Sequence, residues 1–142
     1  MKTIQQILNA KGRPVLSTRR NATVYEALSV MALYEVGALV VLEEGNLIGM
    51  FSERDYARKV ILHGKASREI HVGDIMTTRV LCVRRATSIE ECMALMTDKR
   101  VRHLPVVEGT EVVGMVSIGD VVKAMLDEQE FVIKQLEHYI TA

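Results

Sequence analysis

Aromatic side chains are scarce in this chain: four tyrosines, two phenylalanines and no tryptophan among 142 residues. Platforms that stack nucleic-acid bases need more rings than that. Charge of one sign is missing too, because 18 Lys and Arg balance 18 Asp and Glu. Generic nucleic-acid binding rests on a basic excess, so no nucleic-acid partner is expected. Two cysteines, Cys82 and Cys92, are too few for a disulfide scaffold and lack CxxC spacing. They are expected to be small buried apolar side chains, with a redox pair as the alternative. No apolar run is long enough for a signal peptide or a membrane span. The expectation is a cytoplasmic protein with no membrane partner.

Enzyme signatures are missing as well. The four histidines, His63, His71, His103 and His138, have no metal-ligand spacing with Cys, Asp or Glu, and no metal is predicted. GxSxG, Walker and GxGxxG loops are absent, and no nucleophile–base pair is visible. No catalytic residue is assigned. Apolar residues make up 49% of the chain and charged residues 25%, ordinary globular values. The core must come from Val, Leu, Ile, Ala and eight Met.

The chain repeats itself. Sliding it by 65 places lays Val15–Ile61 on Val80–Leu126 without a gap, with 14 identities in 47 positions. The identities include Met31/Met96, Leu39/Leu104, Gly49/Gly114, Ser52/Ser117 and Asp55/Asp120. A shift of 68 pairs Ile4–Leu8 with Val72–Met76, so the first copy carries about three extra residues near Lys11–Pro14. Fixed-period self-similarity of this kind decides the architecture.

Both copies have the same local signals. Short strand-like runs, Val15–Ser17 and Val80–Val83, come first. Thr23 and Ser88 are N-cap residues, each with a glutamate three places on, the capping-box spacing. Apolar residues then recur at helical spacing. Two strand-like runs follow, 38–42 with 47–51 and 104–107 with 112–116, joined by turns that read as hairpins. Asp55 and Asp120 lead into second helices, expected over 56–62 and 121–126. Each unit is β-α-β-β-α and has too little core to stand alone. The expected fold class is α/β (α+β): two repeats packed about a pseudo-two-fold axis, with an extended C-terminal helix. Repeat one spans 1–63, a polar linker 64–71, repeat two 72–127, and a helical extension 128–142. The extension keeps an apolar stripe through Val132, Ile133, Leu136, Tyr139 and Ile140, and a stripe needs a partner.

The Ser-x-x-Asp motifs carry the most chemistry. Each closes a Gly-Met-hydrophobic-Ser strand, and the Asp begins a helix where backbone amides lack partners. A carboxylate fixed there can accept two hydrogen bonds from a vicinal diol, such as a ribose offers. Ordinary helix capping by Ser52 and Ser117, with Asp55 and Asp120 as favourable first-turn charges, is the competing account. Finding the motif twice at one register favours the ribose.

The duplicated pattern resembles the CBS domain, here as a tandem pair of the kind called a Bateman module. The residues that carry the likeness are Val72-Gly73-Asp74-Ile75-Met76-Thr77, His103-Leu104-Pro105-Val106-Val107 and Gly114-Met115-Val116-Ser117-Ile118-Gly119-Asp120. The first copy matches through Gly37-Ala38-Leu39-Val40-Val41 and Gly49-Met50-Phe51-Ser52-Glu53-Arg54-Asp55. It is similar to bacterial stand-alone CBS pairs.

The resemblance implies ribose contacts from Asp55 and Asp120, phosphate contacts near Ser52 and Ser117, and adenine slots in clefts between the repeats. For repeat two those slots implicate Thr77, Val80, Leu81, His103, Leu104 and Pro105. For repeat one they implicate Val15, Leu16, Gly37, Ala38 and Leu39. Plain core packing explains the apolar ones equally well. Cations for phosphates are placed unevenly: Arg100 and Arg102 before a strand in repeat two, Arg54, Arg58 and Lys59 within and after the motif in repeat one. The expected function is a regulatory sensor of an adenosyl ligand (AMP, ATP or NAD(H) first) that acts on a separate effector protein as a homodimer. The alternative is a structural homodimeric adaptor with vestigial pockets.

Overall fold

The computed structural model describes residues 2–12 and 14–141. In chain order the elements are α1 (Ile4–Lys11), β1 (Ser17–Thr18), α2 (Val24–Tyr34), β2 (Ala38–Glu43), β3 (Asn46–Ser52) and α3 (Glu53–Lys59). A 3-10 turn at Ile61–His63 follows, then α4 (Val72–Ile75), α5 (Ile89–Lys99), β4 (His103–Glu108), β5 (Glu111–Ser117) and α6 (Ile118–Thr141). No helix is long and apolar enough to cross a membrane among the described residues.

The chain divides into two compact units that exchange their short helices. One contains residues 14–81 with 109–113, the other residues 1–13, 82–108 and 114–142. Thus α4 folds with the strands of the first copy, and α1 folds with α5, β4 and α6 of the second.

In the first unit, β2 pairs antiparallel with β3, Ala38 opposite Ser52 and Val40 opposite Met50, and parallel with β1. One face of this sheet packs on α2. Val24, Ala27, Met31, Leu39, Val41, Phe51, Val60, Val72 and Ile75 form its buried core. Thr23 caps α2 as its sequence predicts, accepting from the Glu26 amide at 3.1 Å.

The second unit repeats these devices with one difference. Ser88 caps α5 by accepting from the Glu91 amide. Ile89, Cys92, Met96, Leu104, Val106 and Val116 are buried, together with Ile4 and Ile7 from α1. The strand expected over 80–83 is reduced to one parallel bridge, Val83 to Val106, made by Val83 N–H to Pro105 O and Val107 N–H to Val83 O. Pro105, which stands where the first copy has Val40, has no N–H with which to extend that ladder.

Three other expectations need correction. The second helix of the first copy runs 53–59 and then tightens into the 3-10 turn, instead of spanning 56–62. Its counterpart starts at Ile118, three residues earlier than expected, and runs on as one helix through the C-terminal stripe. Cys82 is exposed while Cys92 is buried, and both remain thiols. Burial pushes the Cys92 thiol up to about 11.

The short helices dock at equivalent glycines. A Cβ at Gly114 would lie 2.5 Å from Leu8 Cδ2 of α1, and one at Gly49 would lie 2.7 Å from Met76 Sδ and 2.9 Å from the Thr77 carbonyl oxygen. Side-chain ends can swing away, whereas the Thr77 carbonyl is tied to the Met50 amide at 2.9 Å. Gly49→Ala is therefore expected to destabilise the protein by about 1–3 kcal/mol, and Gly114→Ala by less. Urea midpoints in the reverse order would contradict this account of the docking.

Candidate functional site

Each Ser-x-x-Asp motif folds into a reciprocal cap. Ser52 has an extended backbone, as an N-cap residue must, and its Oγ accepts from the Asp55 amide at 3.3 Å. The Asp55 carboxylate returns the bond, accepting at Oδ2 from the Ser52 N–H at 3.0 Å and the Ser52 hydroxyl at 3.1 Å. Ser117 and Asp120 repeat it: the Asp120 amide donates to Ser117 Oγ at 3.2 Å, and the Ser117 amide donates to Asp120 Oδ2 at 2.8 Å. The capping account read from the sequence is therefore physically present in both copies. It also fixes each carboxylate at a helix N-terminus, where backbone dipoles favour negative charge.

One backbone bond in each unit ties the cap to the start of the preceding strand. Glu53 N–H donates to Gly37 O at 3.1 Å, and Ile118 N–H donates to Arg102 O at 2.8 Å. Gly37 and Ala38 are thereby held beside the first cap, and Arg102 and His103 beside the second. These pairings sit 65 residues apart, so the duplication extends to the geometry of the turn.

The two carboxylates differ in their cations. Asp55 is almost fully buried, and its Oδ1 accepts from Thr77 Oγ1 and from Lys59 Nζ, both at 3.0 Å. Lys59 is one turn on in the same helix and also donates to the Ile75 carbonyl. Asp120 is less buried, and its i+4 position is Ala124. Its cation is Lys11, the last residue of α1, which donates to Asp120 Oδ2 at 2.8 Å and to the Met115 carbonyl at 3.0 Å. Burial alone would push the Asp120 carboxyl up. The hydrogen bonds from Lys11 and Ser117 and the lysine charge outweigh burial and hold it below its ordinary value.

The expected site residues sort unevenly. Thr77, assigned from sequence to the second copy, lies on Asp55 in the unit of the first motif, and Val80 and Leu81 belong to that unit as well. Leu104, Pro105, Ala38 and Leu39 are buried, Val15, Leu16, Val80 and His103 half-buried, and Arg54 and Arg102 exposed. Leu16 packs against the core of its own unit. Lys11 was not expected at either motif. Its signal in the sequence was only a basic residue in the last turn of a helix, 109 positions from its partner. Among the described residues no group of three His, Cys, Asp or Glu side chains is placed to hold a metal ion.

Comparison with known proteins agrees with the duplication. The CBS domain family model matches twice, at residues 10–62 and 72–127. The chain is similar to the mitochondrial CBS domain-containing protein CBSX3 of Arabidopsis thaliana, 41% identical over 97% of this chain and 71% of that one. Its fold is similar to that of a protein with CBS domains from Burkholderia ambifaria, with 44% identity, a TM-score of 0.86, and coverage of 90% of this chain and 96% of that chain. The CBS pair of protein MJ0100, solved in complex with 5′-methylthioadenosine and S-adenosyl-L-methionine, shares the fold at a TM-score of 0.79 and 22% identity, over 90% of this chain and 98% of that one. The chain belongs to the CBS domain family and carries two copies of the domain, as regulatory proteins of this family do.

Proposed function

We propose that the protein is a sensor of adenosyl ligands, with AMP, ATP and NAD(H) as the first candidates, and that it passes the signal to a separate effector protein. The observation that carries this reading is the same capped carboxylate built twice, at Asp55 and Asp120, on the same strand–helix turn. A carboxylate held by its own cap stays put when a vicinal diol approaches, so the ordering cost of binding falls on the ligand alone. Ribose hydroxyls would replace lysine on either carboxylate, and at Asp55 the Thr77 hydroxyl as well. Ser52 and Ser117, at the helix starts, then face the phosphate side, where exposed Arg54 and Arg102 supply charge. Gly37, Ala38, Val15, Leu16 and Val80 in the first unit, and His103, Leu104 and Pro105 in the second, serve each unit as apolar and backbone walls for a base. The adenosyl compounds bound by the MJ0100 pair support this ligand class. A cytoplasmic setting and a non-catalytic role belong to the same reading.

The same reading includes a homodimer. Along α6, Val132, Ile133, Leu136, Tyr139 and Ile140 are all exposed, the last two above 80%. Their spacing makes one stripe, and burying each contributes about 1.5–3 kcal/mol against the cost of association. A second copy of the same helix offers the matching stripe. Light scattering is expected to give a dimeric mass for the intact chain and a smaller mass for a chain ending at Asp127. A monomeric intact chain would end this part of the reading, and an unchanged dimer after truncation would move the contact off the stripe.

Thermal denaturation with adenine compounds tests the central reading. Ligand at about 100 times its dissociation constant is expected to stabilise by about 2.7 kcal/mol, a visible rise in melting temperature. Asp55→Ala and Asp120→Ala are each expected to weaken binding by about 10- to 100-fold, the value of a charge-assisted hydrogen bond. If no adenine compound shifts the melting temperature, the adaptor with vestigial pockets becomes the better account. Phosphate selection has its own test. Arg54→Glu and Arg102→Glu are expected to lower affinity for AMP more than for adenosine, whereas equal losses would mean a packing defect.

A further inference from the structure

We infer that Lys11 is a latch on the second motif, competing with a ligand's ribose for Asp120 and tying occupancy of that carboxylate to the end of α1. The inference rests on the ribose reading above and names how that site is controlled.

The geometry is specific to one oxygen. Asp120 Oδ2 already accepts from the Ser117 amide at 2.8 Å and from Lys11 Nζ at 2.8 Å. Those two bonds engage both in-plane lone pairs of Oδ2, which leaves Oδ1 to a newcomer. A vicinal diol grips a carboxylate with one hydroxyl on each oxygen. The Ser117 bond is part of the cap and cannot be given up without opening the first turn of α6. Lysine is therefore the donor that must leave.

Its departure differs from the equivalent move at the first motif in that the lysine belongs to a different helix from its aspartate. Lys59 sits on the same helix as Asp55 and also donates to the Ile75 carbonyl at the end of α4, so its release loosens that contact while the lysine stays on the helix of its aspartate. Lys11 belongs to an element 109 residues away in sequence. The start of α1 is anchored independently: Ile4 and Ile7 are buried, the Ile4 amide donates to the Thr87 carbonyl, and the Gln5 amide donates to the Arg85 carbonyl, both at 3.0 Å. The end of α1 has Lys11, on Asp120 and the Met115 carbonyl. Releasing the lysine would free the last turn while the first turn stays docked. Removing the lysine also leaves the helix anchored, which makes the idea testable by substitution.

The experiment is an NMR titration of the intact ¹⁵N-labelled protein with adenosine, a probe that carries the diol without phosphate. The Gly119 amide reads the second motif and the Arg54 amide reads the first. In Lys11→Met the dissociation constant reported at Gly119 is expected to fall by about tenfold or more, the share of one charge-assisted hydrogen bond. Lys11→Arg, which keeps the competing donor, is expected to bind as the natural chain does, and the Arg54 response is expected to be unchanged in both variants. An unchanged Gly114 resonance would show that α1 is still docked. An unchanged or weaker constant at Gly119 in Lys11→Met, with adenosine still binding, overturns the latch and leaves the ribose reading standing. If adenosine moves neither amide in any of the three proteins, the ribose reading and the latch fall together.

Discussion

The bond that Asp55 and Asp120 each accept from the serine three residues earlier organises this molecule around its candidate sites. A strand that ends at a serine can turn directly into a helix only if the first amides of that helix find acceptors. The serine Oγ and the aspartate carboxylate satisfy two of them reciprocally, at 3.3 and 3.0 Å in one copy and 3.2 and 2.8 Å in the other. The same turn brings the first helical amide onto Gly37 O or Arg102 O. Strand start, strand end and helix start therefore meet at one carboxylate in each unit.

Much of this was legible in the sequence because local spacing encodes it. Thr23 with Glu26 and Ser88 with Glu91 place both helix starts, and the structure keeps them. The hairpins fall where the turn residues stand, and the 65-residue period transfers each observation from one copy to the other. The expected start of α6 lies three residues late because it follows Asp120, whereas the Ser117 cap starts the helix at Ile118.

What the sequence hid is what depends on distant partners. Nothing local in Thr77 says that its hydroxyl bonds Asp55, 22 residues away, and nothing in Lys11 points to Asp120. The lost strand at 80–83 follows from Pro105, a residue on the opposite side of the ladder. Cys82 lies in an apolar run and Cys92 follows two glutamates, yet Cys82 is the exposed one and Cys92 the buried one. Helical periodicity accounts for Cys92, whereas Cys82 takes the place of Ser17, which is exposed in the first copy as well.

The copies have diverged in the cations that serve the carboxylates. A lysine on the same helix pairs with Asp55, and a lysine from α1 pairs with Asp120. The most direct measurement of the central claim follows the side-chain carboxyl ¹³C resonances of Asp55 and Asp120 while AMP is added. The account predicts saturable shifts at both carboxyls, with the other aspartates unmoved. Shifts absent from both, in a protein that AMP nonetheless stabilises, would contradict it.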